Sequence, residues 1–172
     1  MDSCAPREQL VLTEDRVAGT PLPLGHHHIL VTATDPAGNS ATCRFPFVVC
    51  DVVPPEIRSV TAFPSVLSRP NHKMVVVQVS VDASDNCDPA PRSKIVRVTC
   101  NESMDRDDVR IAGDLTVMLA ATRNPAGQGR IYTIQVRCAD DSSNGTTHTV
   151  HVSVPKPNDA PPTGGSSTPK HH

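Results

Sequence analysis

The sequence predicts an all-β protein in which a partial β module, residues 1–50, precedes a complete β-sandwich, residues 56–155. Three observations carry that prediction. Residues 31–49 return without a gap 105 positions later as residues 136–154, with Asp35 on Asp140, Asn39 on Asn144, Thr42 on Thr147 and Val49 on Val154. Each copy is an alternating run, a short Asp/Gly/Asn/Ser turn and a second alternating run, which is the pattern of a β-hairpin. No stretch holds a helical period, and the apolar residues are mostly valine, which suits a pleated, half-buried surface. At 172 residues the chain holds one large or two small domains, and an internal repeat favours two.

The first module reads as strands over residues 10–13, 26–34 and 41–49, with the Gly/Pro-rich turn 19–25 between the first two. One face of its hairpin carries Ile29, Val31, Ala33, Cys43, Phe45, Phe47 and Val49. Three strands make one layer, and a β layer must bury its apolar face against another. By the repeat offset Met1 falls at Arg106 of the second copy, so the first module reads as half a domain. Residues 51–55 form a linker, where Pro54-Pro55 supplies no backbone donors and ends the preceding strand.

Strands are expected in the second module over residues 57–62, 73–84, 95–100, 115–121, 130–139 and 146–154, with a short one after Asp108. Val75, Val77, Val79 and Val81 share one face of the longest, and Leu115, Val117 and Leu119 face inward from another. In the second hairpin the inward row is Ile134, Val136 and Cys138, then His148, Val150, Val152 and Val154. Residues 156–172 are rich in Pro, Gly and Ser and read as a disordered tail.

Several functions are excluded at this level. A net charge of −2 makes no basic footprint for nucleic acid. No apolar run approaches the roughly 20 residues of a membrane helix. The opening Met-Asp-Ser is not a signal peptide, so an extracellular setting is inferred instead from six cysteines in a small β-rich chain. There is no nucleophile elbow, metal-binding helix or phosphate loop, so no enzyme is expected. Loop turns explain the proximity of Asp85 and Asp88 better than a pair of catalytic carboxylates does. His26, His27 and His28 cannot all converge on one zinc ion, because consecutive strand residues point to opposite faces. By the repeat, His27 takes the inward slot of Tyr132, and His148, matching Cys43, reads as a core residue. Asn101-Glu-Ser and Asn144-Gly-Thr match the glycosylation sequon.

The run Gly25-x-x-x-Ile29-x-Val31-Thr-Ala-Thr-Asp35-Pro-Ala-Gly-Asn-Ser-Ala-Thr-Cys43-x-Phe45 resembles the second half of a hyalin repeat (HYR). Pro64-Ser-Val-Leu with Pro70-Asn-His-Lys-Met74, residues 83–91 and residues 129–134 resemble motifs of bacterial extracellular immunoglobulin-like modules. The resemblance implies an Ig-like sandwich of secreted or surface proteins, arranged in tandem and associated with adhesion. It places a corner tyrosine at Tyr132, its hydroxyl bonded to backbone. Cys50 and Cys100 are not positions where that pattern places cysteine.

Within the first module Cys4 and Cys43 are the natural disulfide partners. In an Ig-like trace the strands leading to Cys87 and Cys138 finish at one end, which makes those two partners as well, while Cys50 and Cys100 are left as unassigned thiols. The same trace gathers Asp85, Asp88, Asp140, Asp141 and Asn144 at that end, with Asp51 arriving on the linker. Oxygen ligands from separate loops would suit Ca²⁺; no other cofactor is expected. The resulting expectation is a non-enzymatic extracellular spacer, adhesion or scaffold module. Its partners would be neighbouring Ig-like domains, other copies of itself, or a surface glycan or protein. Two alternatives are a self-assembling fibre or filament subunit completed by strand exchange, and an accessory domain of a secreted hydrolase.

Overall fold

A computed structural model describes residues 9–68 and 70–156. It is all-β and divides into two compact units, Met1–Val52 and Val53–His172. The expected Cys4 and all but the first residue of the expected tail lie outside the described residues.

In the first unit β1 (Val11–Glu14), β2 (Gly25–Thr34) and β3 (Ser40–Val49) form one antiparallel sheet in the order β1-β2-β3. The hairpin register runs from Gly25 opposite Val49 to Thr34 opposite Ser40. Pairs directly across a ladder share a face. One face therefore carries His27/Phe47, Ile29/Phe45, Val31/Cys43 and Ala33/Ala41, joined by Leu12 and Glu14 of β1. The other carries His28/Pro46, Leu30/Arg44 and Thr32/Thr42. The alternation is the one a half-buried sheet needs, yet no described residue of this unit is buried.

The second unit has two sheets. One runs β4-β5-β8-β7, from β4 (Glu56–Phe63), β5 (Met74–Ser84), β8 (Thr116–Ala120) and β7 (Val109–Gly113). The other runs β10-β9-β6, from β10 (Gly145–Val154), β9 (Arg130–Ala139) and β6 (Arg92–Cys100). Numbered A to G along the unit, these are sheets ABED and GFC, the strand order of a constant-type immunoglobulin sandwich. The expected short strand after Asp108 is β7, entered through a 3-10 turn at Arg106–Asp108.

Valine alternation builds the core. Val77, Val79, Val117 and Leu119 from one sheet meet Ile134, Val136, Val152 and Val154 from the other, all buried in one cluster. Full burial of such side chains contributes about 1.5–3 kcal/mol each. After Phe63 the chain crosses toward the second sheet, where Val66 bridges Ser153 in parallel. The Leu67 N–H donates to Ser153 O at 2.7 Å and the Ser153 N–H to Ser65 O at 2.9 Å. That crossing covers only the C-terminal end of β10. Val152 and Val154 are buried there, whereas His148, expected in the core, is exposed and bonds through Nδ1 to Thr149 O at 3.1 Å.

The two hairpins superpose in register as well as in sequence, since Thr34 opposite Ser40 maps onto Ala139 opposite Gly145. The sheet β3-β2-β1 is thus the counterpart of β10-β9-β6. The 105-residue shift sends β1 onto Thr116–Leu119 of β8, but β1 instead pairs with β2, Val11 lying opposite Thr34. This is the place of Arg92 in β6, which lies opposite Ala139. The pairing satisfies backbone groups at the edge of β2 that would otherwise lack partners.

Candidate functional site

Both hairpin turns are built by the same four hydrogen bonds. In the first, the Asp35 N–H donates to Asn39 O at 2.9 Å and the Gly38 N–H to Asp35 O at 3.0 Å. The Asp35 carboxylate accepts the Asn39 N–H and Nδ2, each at 2.8 Å. In the second, Asp140 N–H to Asn144 O is 3.1 Å and Ser143 N–H to Asp140 O is 3.2 Å. The Asp140 carboxylate accepts the Asn144 N–H at 2.8 Å and Nδ2 at 2.7 Å. The turn needs a left-handed residue at its fourth position, which Gly38 supplies at φ +89° and Ser143 at φ +74°. The Asn39 bonds, side chain first, hold the Asp35 carboxyl below its ordinary value.

The second turn faces the loop between β5 and β6. Asp85 Oδ1 accepts the N–H groups of Cys87 and Asp88, both at 2.9 Å. Those bonds, Asp88 first, hold the Asp85 carboxyl below its ordinary value. Asp88 is buried, and its carboxylate accepts the Ala90 N–H at 2.9 Å and the Asp141 N–H at 3.1 Å, which ties one loop to the other. A carboxylate oxygen of Asp85 and one of Asp140 come within 4.8 Å of each other. Asp85 Oδ2 is buried and accepts no hydrogen bond. Five residues expected at this end, Asp85, Asp88, Asp140, Asp141 and Asn144, are therefore brought together in the second unit, while Asp51 belongs to the first.

Of the cysteines, Cys138 is fully buried on the inward row of β9, and Cys87 is exposed in the β5–β6 loop. Among the described residues Cys43, Cys50, Cys100 and Cys138 are joined in no disulfide. Cys43 and Cys50 are exposed, and Cys100 packs against the core. Both sequon asparagines have their side-chain amides engaged. Asn101 donates to Gly129 O at 3.0 Å and accepts the Ile131 N–H at 2.7 Å, and Asn144 is held by Asp140.

At the opposite end of the second unit lies a polar hub absent from the sequence expectation. Arg130 opens the inward row of β9 and is buried with its charge. Its guanidinium donates to Glu102 Oε2 at 3.2 Å, Asp108 Oδ2 at 2.7 Å, Ser103 O at 2.8 Å and the Tyr132 hydroxyl at 3.1 Å. The Tyr132 hydroxyl in turn donates to Ala120 O at 2.9 Å, which is the corner-tyrosine bond. Burial, the largest influence, would by itself lower the Arg130 pKa, and the bonds to Tyr132, Asp108 and Glu102 together more than offset it. The Tyr132 hydroxyl is pushed above its ordinary value by burial, which the Arg130 bond only partly offsets. Beside the hub is an open cleft of about 690 Å³ lined by residues that include Glu102, Ser103, Arg123, Asn124, Gln128 and Arg130. The signal in the sequence was an arginine in phase with Tyr132, Ile134 and Val136, because an inward charge in a core row requires partners.

No family model matches the chain, and no curated protein matches it. Among solved structures, protocadherin gamma B2 extracellular cadherin domains 3–6 align with 75% of the chain at 15% identity and a TM-score of 0.37. Protocadherin gamma B7 extracellular cadherin domains 1–4 align with 76% at 18% identity and a TM-score of 0.31. The human desmocollin-1 ectodomain aligns with 81% at 19% identity and a TM-score of 0.29. The chain spans 31%, 32% and 24% of those three chains. Among the described residues no helix is long and apolar enough to cross a membrane.

Proposed function

We propose that this chain is a non-enzymatic extracellular module of tandem immunoglobulin-like type, of the hyalin-repeat kind, that serves as a spacer, adhesion or scaffold element. The observation that carries this reading is the hairpin built twice, in one register and with one set of turn bonds, once in each unit. Repeated β modules with polar groups spent on turns and on a buried salt-bridge hub are suited to bearing and presenting. Beads coated with the chain test it. Saturable binding to cells or to other coated beads identifies adhesion, and a coat that binds nothing identifies a spacer. Turnover of any ester, peptide or glycoside by the purified chain would sink the non-enzymatic reading.

Calcium belongs to this proposal at the paired loops of the second unit. Two carboxylates this close repel, and the unbonded Asp85 Oδ2 is an acceptor for a cation. Asp140 would share the ion, with Asp88, Asp141 and Asn144 as further oxygen donors from the same unit. Millimolar Ca²⁺ should raise the melting temperature of the chain, and Asp85→Asn should remove the rise. Equal melting with Ca²⁺ and with a chelator would leave these as turn residues.

A second reading, self-assembly through the first unit, is favoured by the lack of any buried residue among those described in that unit. Concentration-dependent growth beyond the monomer would support it.

A further inference from the structure

In the inward row of the second hairpin, Tyr132, Ile134, Val136, Cys138, Val152 and Val154 have no solvent exposure beneath the opposed sheet, while Val150 is half-buried and His148 exposed. The equivalent row of the first unit is His27, Ile29, Val31, Ala33, Phe47 and Val49, none of it buried, with Phe45 at 55% and Leu12 at 67% exposure on the same face. The repeat therefore shows what this face is shaped to meet: a second β sheet with alternating apolar side chains. We propose that the first unit pairs face to face with the first unit of a second copy of this chain, making a two-fold sandwich of two three-stranded sheets.

Three observations select the second copy and the face. The first unit itself presents such a row, so two copies related by a two-fold axis offer each other the same apolar surface. The edges are poor docking sites for an added strand. Both the N–H and the C=O of Leu30 are taken by Asp15 on the β1 side, the N–H through the Asp15 carboxylate at 2.9 Å and the C=O by the Asp15 N–H at 3.1 Å. The even-numbered groups of β2 thus point toward β1, and by the ladder those of β3 point to its free edge. Pro46 stands among them without an N–H, which blunts that edge. Finally, the area suffices. Two ten-residue strands and one of four residues span about 400 Å² in projection at ordinary strand spacing. Side-chain relief brings the accessible surface buried by both copies to roughly 1,000 Å², the lower bound for a specific interface. Glu14 lies on the edge strand and falls at the rim, where interfaces are polar.

This inference deepens the self-assembly reading and rests on it. Sedimentation equilibrium on the full chain under reducing conditions should show monomer passing to dimer between ~1 and ~200 µM, the range of a small interface. Val31→Asp should hold the chain monomeric, and Val48→Asp, on the outer face, should leave the dimer intact. The unmodified chain supplies a second readout. Cys43 lies on the pairing face and Cys50 beyond it, so alkylation of Cys43 should slow severalfold as concentration rises while Cys50 is unaffected. A monomer throughout, with Cys43 equally reactive at all concentrations, overturns both the pairing and the assembly reading. Growth past the dimer that survives Val31→Asp overturns face pairing and leaves strand exchange standing.

Discussion

Arg130 offers the sharpest test of how the second unit is held together. The side chains of Arg130, Glu102 and Asp108 retain only 7%, 11% and 15% of their exposure, so the pairs belong to the buried regime and not to the surface one. A surface ion pair contributes about 0–1 kcal/mol. Breaking a buried pair costs about 3–5 kcal/mol, because the partner charges stay behind without compensation. Arg130→Met keeps most of the side-chain volume and leaves two carboxylates and the Ser103 carbonyl short of a donor. Against a typical domain stability of about 5–15 kcal/mol, a loss of that size is large.

The chain contains one tyrosine and no tryptophan, so intrinsic fluorescence reports Tyr132 and hence the second unit alone. With a urea slope of about 1–1.5 kcal/mol/M for a unit of this size, the unfolding midpoint of Arg130→Met should fall by ~2–5 M. Adding Glu102→Gln and Asp108→Asn removes the stranded charges and should recover much of the loss. A midpoint shift below about 0.5 M would mean that water reaches these carboxylates as it does at a surface, and the hub argument would fail.

Other outcomes follow from the turns and the cysteines. Ser143→Gly should stabilise the second unit by about 0.5–1 kcal/mol in chemical denaturation, since relief of a left-handed serine outweighs the added freedom of the unfolded glycine; unchanged or lowered stability would contradict it. Turn hydrogen bonds hold the Asp85 and Asp35 carboxyls below their ordinary value in the folded chain, so their stabilising contribution is present above the unfolded value and lost as pH falls through the folded one. The amide signals of Asp88 and Asn39 should accordingly shift with midpoints below that of an aspartate in an unstructured peptide, and a midpoint at or above it would remove the turn-bond explanation. The expected Cys87–Cys138 bridge would close a loop of about 50 residues and contribute ~3–4 kcal/mol, so reduction should lower the melting temperature of oxidised material. Peptide mapping that recovered both thiols free from an oxidising preparation would end that proposal.

How much of this was legible depends on the range of each interaction. The Asp–Asn turns are local: donor, acceptor and left-handed residue all lie within five positions, and the shift that puts Asp35 on Asp140 recovers them from sequence. The core rows were legible because a period of two assigns faces without knowledge of the partner sheet, as Val77, Val117 and Ile134 show. The Arg130 hub was not, because Glu102 and Asp108 come from a different connection and only the closed sandwich brings them to β9. The crossing of residues 65–67 to Ser153 was hidden for the same reason, and with it the exposure of His148.

The two hairpins amount to an internal experiment on what a β row requires. Register and turn bonds are shared between β2–β3 and β9–β10, while the opposed sheet and most side chains differ. With Val77, Val79, Val117 and Leu119 above it, the row is buried from Tyr132 to Cys138 and at Val152 and Val154; without them, His27 fills the tyrosine slot, stacks on Phe47 at 5.6 Å and bonds to Pro23 O at 2.7 Å. The local solution thus imitates the corner bond that Tyr132 makes to Ala120. It does not supply apolar area, which is proportional to the surface withdrawn from water and has no local substitute. The hydrogen-bonded turn of the repeat is consequently the same in both units, while among the described residues fully buried apolar side chains occur only in the second. That asymmetry makes the inner face of the first unit, more than either loop cluster, the place where a partner would change the protein most.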